Sequence, residues 1–455
     1  MKKINIEDVC KICKGQLLCG KKEIDINNFS IDTRTLEKGD TYIAIKGESS
    51  NGNKYVKNAL DKGAIACIVD EDIDLTDINK NKTIIKVEDG LKALQDLASY
   101  KRSLYNIPVV AVTGSVGKTS TKDIIASVLS KKYKVLKTEG NFNNHLGLPL
   151  TLLKLKDHTA VVVEMGMNHF GEIATLTNIA KPTMAVITNI GTSHIGNLGS
   201  RENILKAKLE ILEGLKQNGK IIINNDNDLL HNWAQTVDRE NIITYGIENK
   251  STFNAENIKE EDNCGKYKIN TKKEEYNVKV PVVGKHFIYN SLCAVAVAEG
   301  LGIETKKIIQ GILEFKLTAK RMDFRTLKNG ATVLADYYNA SYDSMKSALE
   351  VVKNYNAHKK IAVLGDMLEL GDFAEKLHKD VGIEVYNNNI DILITVGDLA
   401  KNIAKTAKKI GVKEVYTCEN NKEAVKILNE KIQKDDIVLL KASNGMHFGE
   451  IFEAL

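Results

Sequence analysis

Short apolar runs recur along the chain, and each stops abruptly at a glycine or a polar residue. They occupy residues 109–112, 160–163, 185–187, 332–335, 360–364, 392–396 and 437–440. The runs are continuous rather than alternating, as expected of strands buried on both faces of a mostly parallel sheet. Between them lie longer stretches with helical spacing: from 121 onward, 201–215 and 291–301. Strand and helix alternate, which predicts an α/β protein with helices on both faces of its sheets. In the 201–215 helix, rich in Lys and Glu, the pattern places Lys206 and Lys208 on a solvated face.

The pattern divides the chain into three units. Residues 1–105 read as a small α/β domain, with helices at 6–14 and 56–62 and a strand at 64–69. Residues 106–315 read as a central P-loop mononucleotide-binding parallel sheet. Residues 316–455 read as a Rossmann-like doubly wound sheet of four strands, each ending in Gly or Asp or at a polar turn.

The turn after the run 109–112 reads Thr113-Gly114-Ser115-Val116-Gly117-Lys118-Thr119-Ser120. Glycines there let the backbone curl so that successive N–H groups face one anion. The following helix adds its positive end, Lys118 a charge for the outer phosphates, and Thr119 a hydroxyl for Mg²⁺. The usual pattern has Gly six residues before the Lys, where this chain has Val112, so the loop is a variant.

Other candidates lie at strand ends. Glu164 closes the run 160–163 and suits a Mg²⁺ ligand opposite Thr119, because strand ends in α/β sheets face the ligand crevice. His194 leaves the run 185–187 at the same edge. The loop 138–149 is dense in Asn, including Asn141 and Asn144, and reads as substrate-facing. Asp32, Thr33 and Arg34 place a carboxylate, a hydroxyl and a forked guanidinium together, a set able to bind a sugar-nucleotide diphosphate. A bare Asp-Thr-Arg is otherwise a surface turn.

Composition narrows the class. At 455 residues there is room for about three domains. A net charge of +5, with Lys and Glu interspersed, leaves no basic stripe for nucleic acid. No apolar run approaches the roughly twenty residues of a membrane span, and no signal peptide opens the sequence, so a cytoplasmic protein is expected. The seven Cys are scattered, as reduced thiols would be. Cys10, Cys13 and Cys19 lack a nearby second ligand pair and read as small apolar positions rather than a zinc site.

Taken together, these residues resemble the Mur ligases over essentially the whole chain. The variant loop 113–119 is shared by Mur ligases and folylpolyglutamate synthases; the latter normally lack a domain like 1–105. Asp32-Thr33-Arg34, Gly39-Asp40 and Ala44-Ile45-Lys46-Gly47 are similar to the members adding the third residue and the final dipeptide. Tyr338-Asn339-Ala340, Asp343-Ser344-Met345 and residues 364–371 resemble those adding the dipeptide.

The resemblance implies an ATP-dependent, ADP-forming amide ligase of peptidoglycan precursor synthesis, serving cell-wall biogenesis, cell shape and cell division. Its substrates would be UDP-N-acetylmuramoyl-tripeptide and D-alanyl-D-alanine, joined through an acyl phosphate. It implies Lys118 on the γ-phosphate, and Mg²⁺ at two sites held by Thr119, Glu164, His194 and a carbamylated Lys208. It places His286 and Asn290 near the base, and brings Arg321 and Asp336 to ATP on domain closure. Asp32, Thr33, Arg34 and Lys46 would hold the acceptor, and Tyr338, Asn339 and Ser344 the amine. A monomer is expected. The chain departs from the family pattern at Lys320 (usually Gly), Ala335 (Asp), Ser341-Tyr342 (Asn-Pro), Asn444 (Arg) and Phe287 (Asn). Two alternatives stand beside this reading: a relative joining a different amino acid or dipeptide, and a non-catalytic nucleotide-binding paralogue.

Overall fold

The computed structural model describes all residues except 1–3, 49, 77, 79–81, 239, 262, 272–273 and 319. Its chain groups into two compact units that interleave in sequence. One comprises Met1–Thr113, Lys132–Val186 and Leu209–Ile221; the other comprises Gly114–Lys131, Ile187–Lys208 and Ile222–Leu455.

In the first unit a five-stranded sheet is ordered Gln16–Cys19, Thr83–Lys86, Ala66–Val69, Thr41–Ile43, Phe29–Ser30. All neighbours are parallel except the edge strand Gln16–Cys19. Tyr42, Ala44, Val56, Ala59 and Cys67 pack its core. The helix Gly90–Ser103 starts at Asp89, whose side chain accepts from Lys92 N as an N-cap. At its far end the buried Arg102 guanidinium donates to the carbonyls of Ala180 (2.9 Å) and Tyr105 (2.6 Å). The strand Val109–Thr113 pairs in parallel with Ala160–Glu164, which pairs in turn with Val135–Lys137. Both longer strands are buried along their whole length, which explains their unbroken apolar sequence.

In the second unit the helix Lys118–Leu129 packs against Lys285–Gly300 and Thr305–Leu313. The helix Lys285–Gly300 starts six residues before the apolar stretch from 291, so His286 and Asn290 lie on a helix rather than a lead-in loop. Phe253–Glu261, Cys264–Asn270 and Glu275–Val280 form an antiparallel meander.

A six-stranded sheet follows, ordered Asp323–Thr326, Thr332–Ala335, Ile437–Lys441, Lys360–Gly365, Ile392–Val396, Glu414–Cys418. Four of its strands are those expected. The two edge strands, Asp323–Thr326 and Glu414–Cys418, are only half-buried and lack the apolar run that marks the others. The last strand in sequence, Ile437–Lys441, sits between the second and third, so the strand order reverses there. Such a switch point collects strand ends into a crevice, here those at Asp336, Asp366 and Lys441. Among the described residues no helix is long and apolar enough to cross a membrane.

Candidate functional site

The phosphate-loop turn lies in the second unit. Gly117 (φ 81°) caps the helix, which begins at Lys118 rather than at 121. Gly114 (φ 151°) is required on two counts: its backbone is one that L side chains rarely adopt, and a Cβ there would lie 1.9 Å from Thr188 Oγ1. The Thr188 hydroxyl donates to Val116 O (2.7 Å). Ser115 N donates to Asn189 O (3.0 Å) and Val116 N to Asn189 Oδ1 (2.9 Å).

This corrects the expectation of successive amides aimed at one anion. Two of them are committed to Asn189, a brace that sequence did not single out. The positive end of the helix, starting at Lys118, remains the anion-directed feature. Lys118 Nζ donates to Gly114 O (2.9 Å) and Ser115 O (3.4 Å), so its charge lies over the turn. Thr119 is buried.

A cavity of about 660 Å³ opens beside the turn, lined by Gly117, Asn189, His286, Asn290 and Asp343 among others. That volume suits a nucleotide-sized ligand. Asn290 Oδ1 accepts from the Thr121 hydroxyl (3.0 Å), whereas its buried Nδ2 has no partner. A buried amide left over in this way fits a polar ligand in the cavity. Burial pushes the His286 imidazole down to about 4, against a smaller raising effect from Asp336, so it is neutral at pH 7.

Lys208 overturns the expectation of a solvated face. It is 1% exposed, while Lys206 is exposed. Residues two apart on a helix point to opposite sides, so one lysine of the pair must turn inward when the helix packs. Burial, and then the charge of Lys118, holds the Lys208 amine well below the usual lysine range. His194 sits at φ 63°, just before the short helix Ile195–Leu198. Its Nδ1 lies 2.8 Å from Glu369 Oε2, off the hydrogen-bonding angle.

The switch-point crevice holds Asp336. Lys441, 2% exposed and missed at the sequence level, donates from Nζ to Asp336 Oδ2 (2.6 Å) and Asn339 O (3.1 Å). Arg321 stacks its guanidinium 4.0 Å from the Tyr338 ring centroid, and its buried Nε has no partner.

All but one of the departures from the family pattern have local accounts. Lys320 adopts φ 65°, the conformation a Gly would hold without cost. Ser341 replaces Asn as N-cap and forms a reciprocal capping box with Ser344. That engages the Ser344 hydroxyl, which sequence assigned to the amine substrate. Tyr342 donates its hydroxyl to Glu384 Oε1 (3.0 Å). Ala335 and Phe287 are buried core residues. Nothing in the structure explains Asn444.

The first unit carries the other candidates. Arg34 donates to Asp32 through Nε (3.0 Å) and NH2 (2.7 Å) from an exposed side chain. Lys46 pairs with Glu71 (3.3 Å), and Thr33 O accepts from Lys62 Nζ (2.7 Å). Glu164 is 2% exposed, not a solvated strand end, and accepts from Asn143 Nδ2 (2.8 Å). Of the Asn-rich loop, Asn141 is exposed, whereas Asn144 Oδ1 accepts from Gly147 N (2.9 Å), the first residue of the helix Gly147–Leu153. Asn143, not Asn144, meets the carboxylate.

Among the described residues no group of three or more His, Cys, Asp or Glu is placed to hold a metal ion. The seven cysteines are free thiols.

A phosphate turn with an overlying lysine, a buried lysine of depressed basicity beside it and a nucleotide-sized cavity define a nucleotide-using α/β protein. Residues 25–102 match the model described as Mur ligase family, catalytic domain. Residues 112–298 match the Mur ligase middle domain, and 320–444 the Mur ligase, glutamate ligase domain. The chain belongs to the Mur ligase family.

Within that family its full-length likeness is to MurF. It is 38% identical to the UDP-N-acetylmuramoyl-tripeptide–D-alanyl-D-alanine ligase of Bacillus subtilis, covering 100% of this chain and 99% of that one. A crystal structure of MurF from Acinetobacter baumannii superposes with a TM-score of 0.91 at 28% identity, covering 100% and 98%. MurF ligase from Thermotoga maritima in complex with ADP gives 0.84 at 28%, covering 94% and 96%.

Proposed function

We propose that this chain joins D-alanyl-D-alanine to UDP-N-acetylmuramoyl-tripeptide in peptidoglycan precursor synthesis, converting ATP to ADP and phosphate. The observation that carries this reading is the buried Lys208, its amine held well below the usual lysine range by burial and by the Lys118 that overlies the phosphate turn. A glycine turn of no function has no use for a buried lysine whose amine is depressed by desolvation and by a second lysine's charge.

ATP with Mg²⁺ supplies a phosphoryl group that turns the tripeptide carboxylate, a poor electrophile, into an acyl phosphate. Lys118 counters charge at the γ-phosphate, and the helix from Lys118 adds its dipole. Thr119, Glu164 and His194 are the metal-binding side chains in this proposal. A neutral Lys208 amine can add its lone pair to CO₂ and lose its proton to solvent, giving a carbamate that serves as a further carboxylate-like ligand. His286 and Asn290 Nδ2 face the base. Arg321 and Asp336 close on ATP, and Tyr338 and Asn339 bound the amine.

In this reading 1–105 binds the UDP-sugar acceptor, with Asp32, Thr33, Arg34 and Lys46 as its contacts. Residues 106–315 bind ATP, and 316–455 bring the amine and close the site. The protein works as a cytoplasmic monomer, where its soluble nucleotide substrates are made.

The test is phosphate release from ATP with UDP-N-acetylmuramoyl-tripeptide, with and without D-alanyl-D-alanine. Release requiring both is the expected result. Release with another amine in place of the dipeptide would keep the ligase and change its substrate; no release with any amine would leave only a nucleotide-binding protein.

A further inference from the structure

The turn 189–196 is held from two sides, and only one of them is the phosphate loop. On the loop side Asn189 braces Ser115 and Val116, and Gly191 N donates to Ser115 Oγ (2.9 Å). On the other side stand two carboxylates from the 316–455 segment. Asp343 Oδ2 accepts from both Thr192 N (2.8 Å) and Thr192 Oγ1 (2.9 Å). It approaches so closely that a Cβ on Gly191 would lie 2.3 Å from the same oxygen. Glu369 contacts His194 through its carboxylate, and its carbonyl accepts from Gly196 N (3.3 Å).

Glu369 is not on a loose loop. Met367 N donates to His378 Nε2 (3.0 Å), and Leu368 N to Ser443 Oγ (2.9 Å). Ala400 N donates to Asp366 Oδ1 (2.7 Å). His378 is fully buried and donates from Nδ1 to Ala374 O (2.6 Å), which leaves Nε2 as the acceptor for Met367. His194 and Glu369, the two residues in contact, both have φ 63°. Non-glycine residues persist in that region where their surroundings over-determine them, and they cluster at functional sites.

We infer that Glu369 is a positioning residue for His194: it holds the imidazole with Nδ1 toward the carboxylate, leaving Nε2 as the nitrogen for a ligand. Asp343 fixes the turn on which that ring stands. A histidine ligand oriented through its other nitrogen by a carboxylate is a general device of metal sites. Here the carboxylate comes from the carboxy-terminal sheet, so His194 is correctly set only while that sheet is docked. The inference rests on the proposed metal role of His194 for its ligand, and on geometry alone for the ring's orientation.

Two measurements on the full chain test it. The first is the ¹⁵N spectrum of histidine-labelled, ligand-free protein, with His194→Ala used to assign the His194 signals. Wild type should show one tautomer, protonated on Nδ1. Glu369→Ala should show a mixture, with Glu369→Gln between them. The second is the Mg²⁺ concentration for half-maximal ATP turnover, which should rise about tenfold in Glu369→Ala.

An unchanged tautomer in both variants would overturn the inference. So would a fall in kcat at every Mg²⁺ concentration with the half-saturation point unmoved, since that marks a merely structural contact. If Glu369→Ala fails to fold, Glu369→Gln, which keeps the shape, carries both measurements. If His194→Ala keeps the wild-type Mg²⁺ requirement, the metal role of His194 fails, while the spectrum still decides the role of Glu369.

Discussion

In the proposed function the Asp32–Arg34 corner and the phosphate turn both meet phosphate oxygens, and the structure prepares them in opposite ways. Arg34 is exposed and already spends its fork on Asp32, a neighbour two residues away. Such a solvent-screened surface pair contributes little, so an incoming diphosphate can displace it at little cost. Around the phosphate turn the groups cannot rearrange so cheaply. Gly114 touches Thr188, Asn189 fills the loop's own amides, and Lys208 is buried, with its amine held well below the usual lysine range. The proposed roles would account for the difference. An acceptor site must capture and release a large, flexible substrate, whereas phosphoryl transfer gains from groups fixed before reaction.

That contrast can be broken most directly at Lys118. Lys118→Ala should lower dipeptide-dependent phosphate release by about 1000-fold, since a fixed counter-charge at the transferring group is lost. Near-normal turnover would remove the phosphate turn from the mechanism. Lys208→Ala should lose roughly 100-fold, with partial recovery on adding formate to replace the carbamate's oxygens. Full activity without formate would exclude the carbamate.

His286 sharpens the comparison through stability. Its folded pKa of about 4 lies below that of a free histidine. Between these values the unfolded chain binds a proton that the folded chain does not, so stability should fall as pH drops from 6.5 toward 4. His286→Gln should reduce the difference in unfolding free energy between pH 7 and pH 5 by about 2 kcal/mol in urea titrations. An equal difference in both proteins would show that the ring is solvated.

Arg34→Ala marks the small end. It should raise the KM for the UDP-linked acceptor about tenfold through loss of one forked, charge-assisted contact, with the melting temperature unmoved. A drop in melting temperature would place Arg34 in the scaffold rather than at the substrate.

Much of this was legible along the chain because its cause is local. Gly114, Gly117 and Lys118 announce a phosphate turn by spacing, and the seven apolar runs became buried strands within a residue or two of their expected ends. The helix start at Lys118 was misplaced because Gly117 supplies the cap through its backbone, with no side-chain signal. Lys208 read as solvent-facing because a lysine two residues from another, on a helix rich in Glu, carries no mark of which face packs. Asn143 was passed over for Asn141 and Asn144 because three amides in one loop look alike until the fold chooses which one meets Glu164.

The sequence by itself determined the fold class, the order of strands and helices and the phosphate turn. These depend on periodicity and on backbone conformations that only certain residues adopt. Tertiary structure alone decided which groups are buried, and therefore which are unusual. The Lys208 amine lies well below the usual lysine range chiefly because the surrounding protein excludes water from it. Asn189 becomes a brace, Lys441 the partner of Asp336, and Glu369 the neighbour of His194 through contacts spanning 73, 105 and 175 residues of chain. Proximity across such separations, and the desolvation that accompanies it, are properties of the packed molecule that no local pattern encodes.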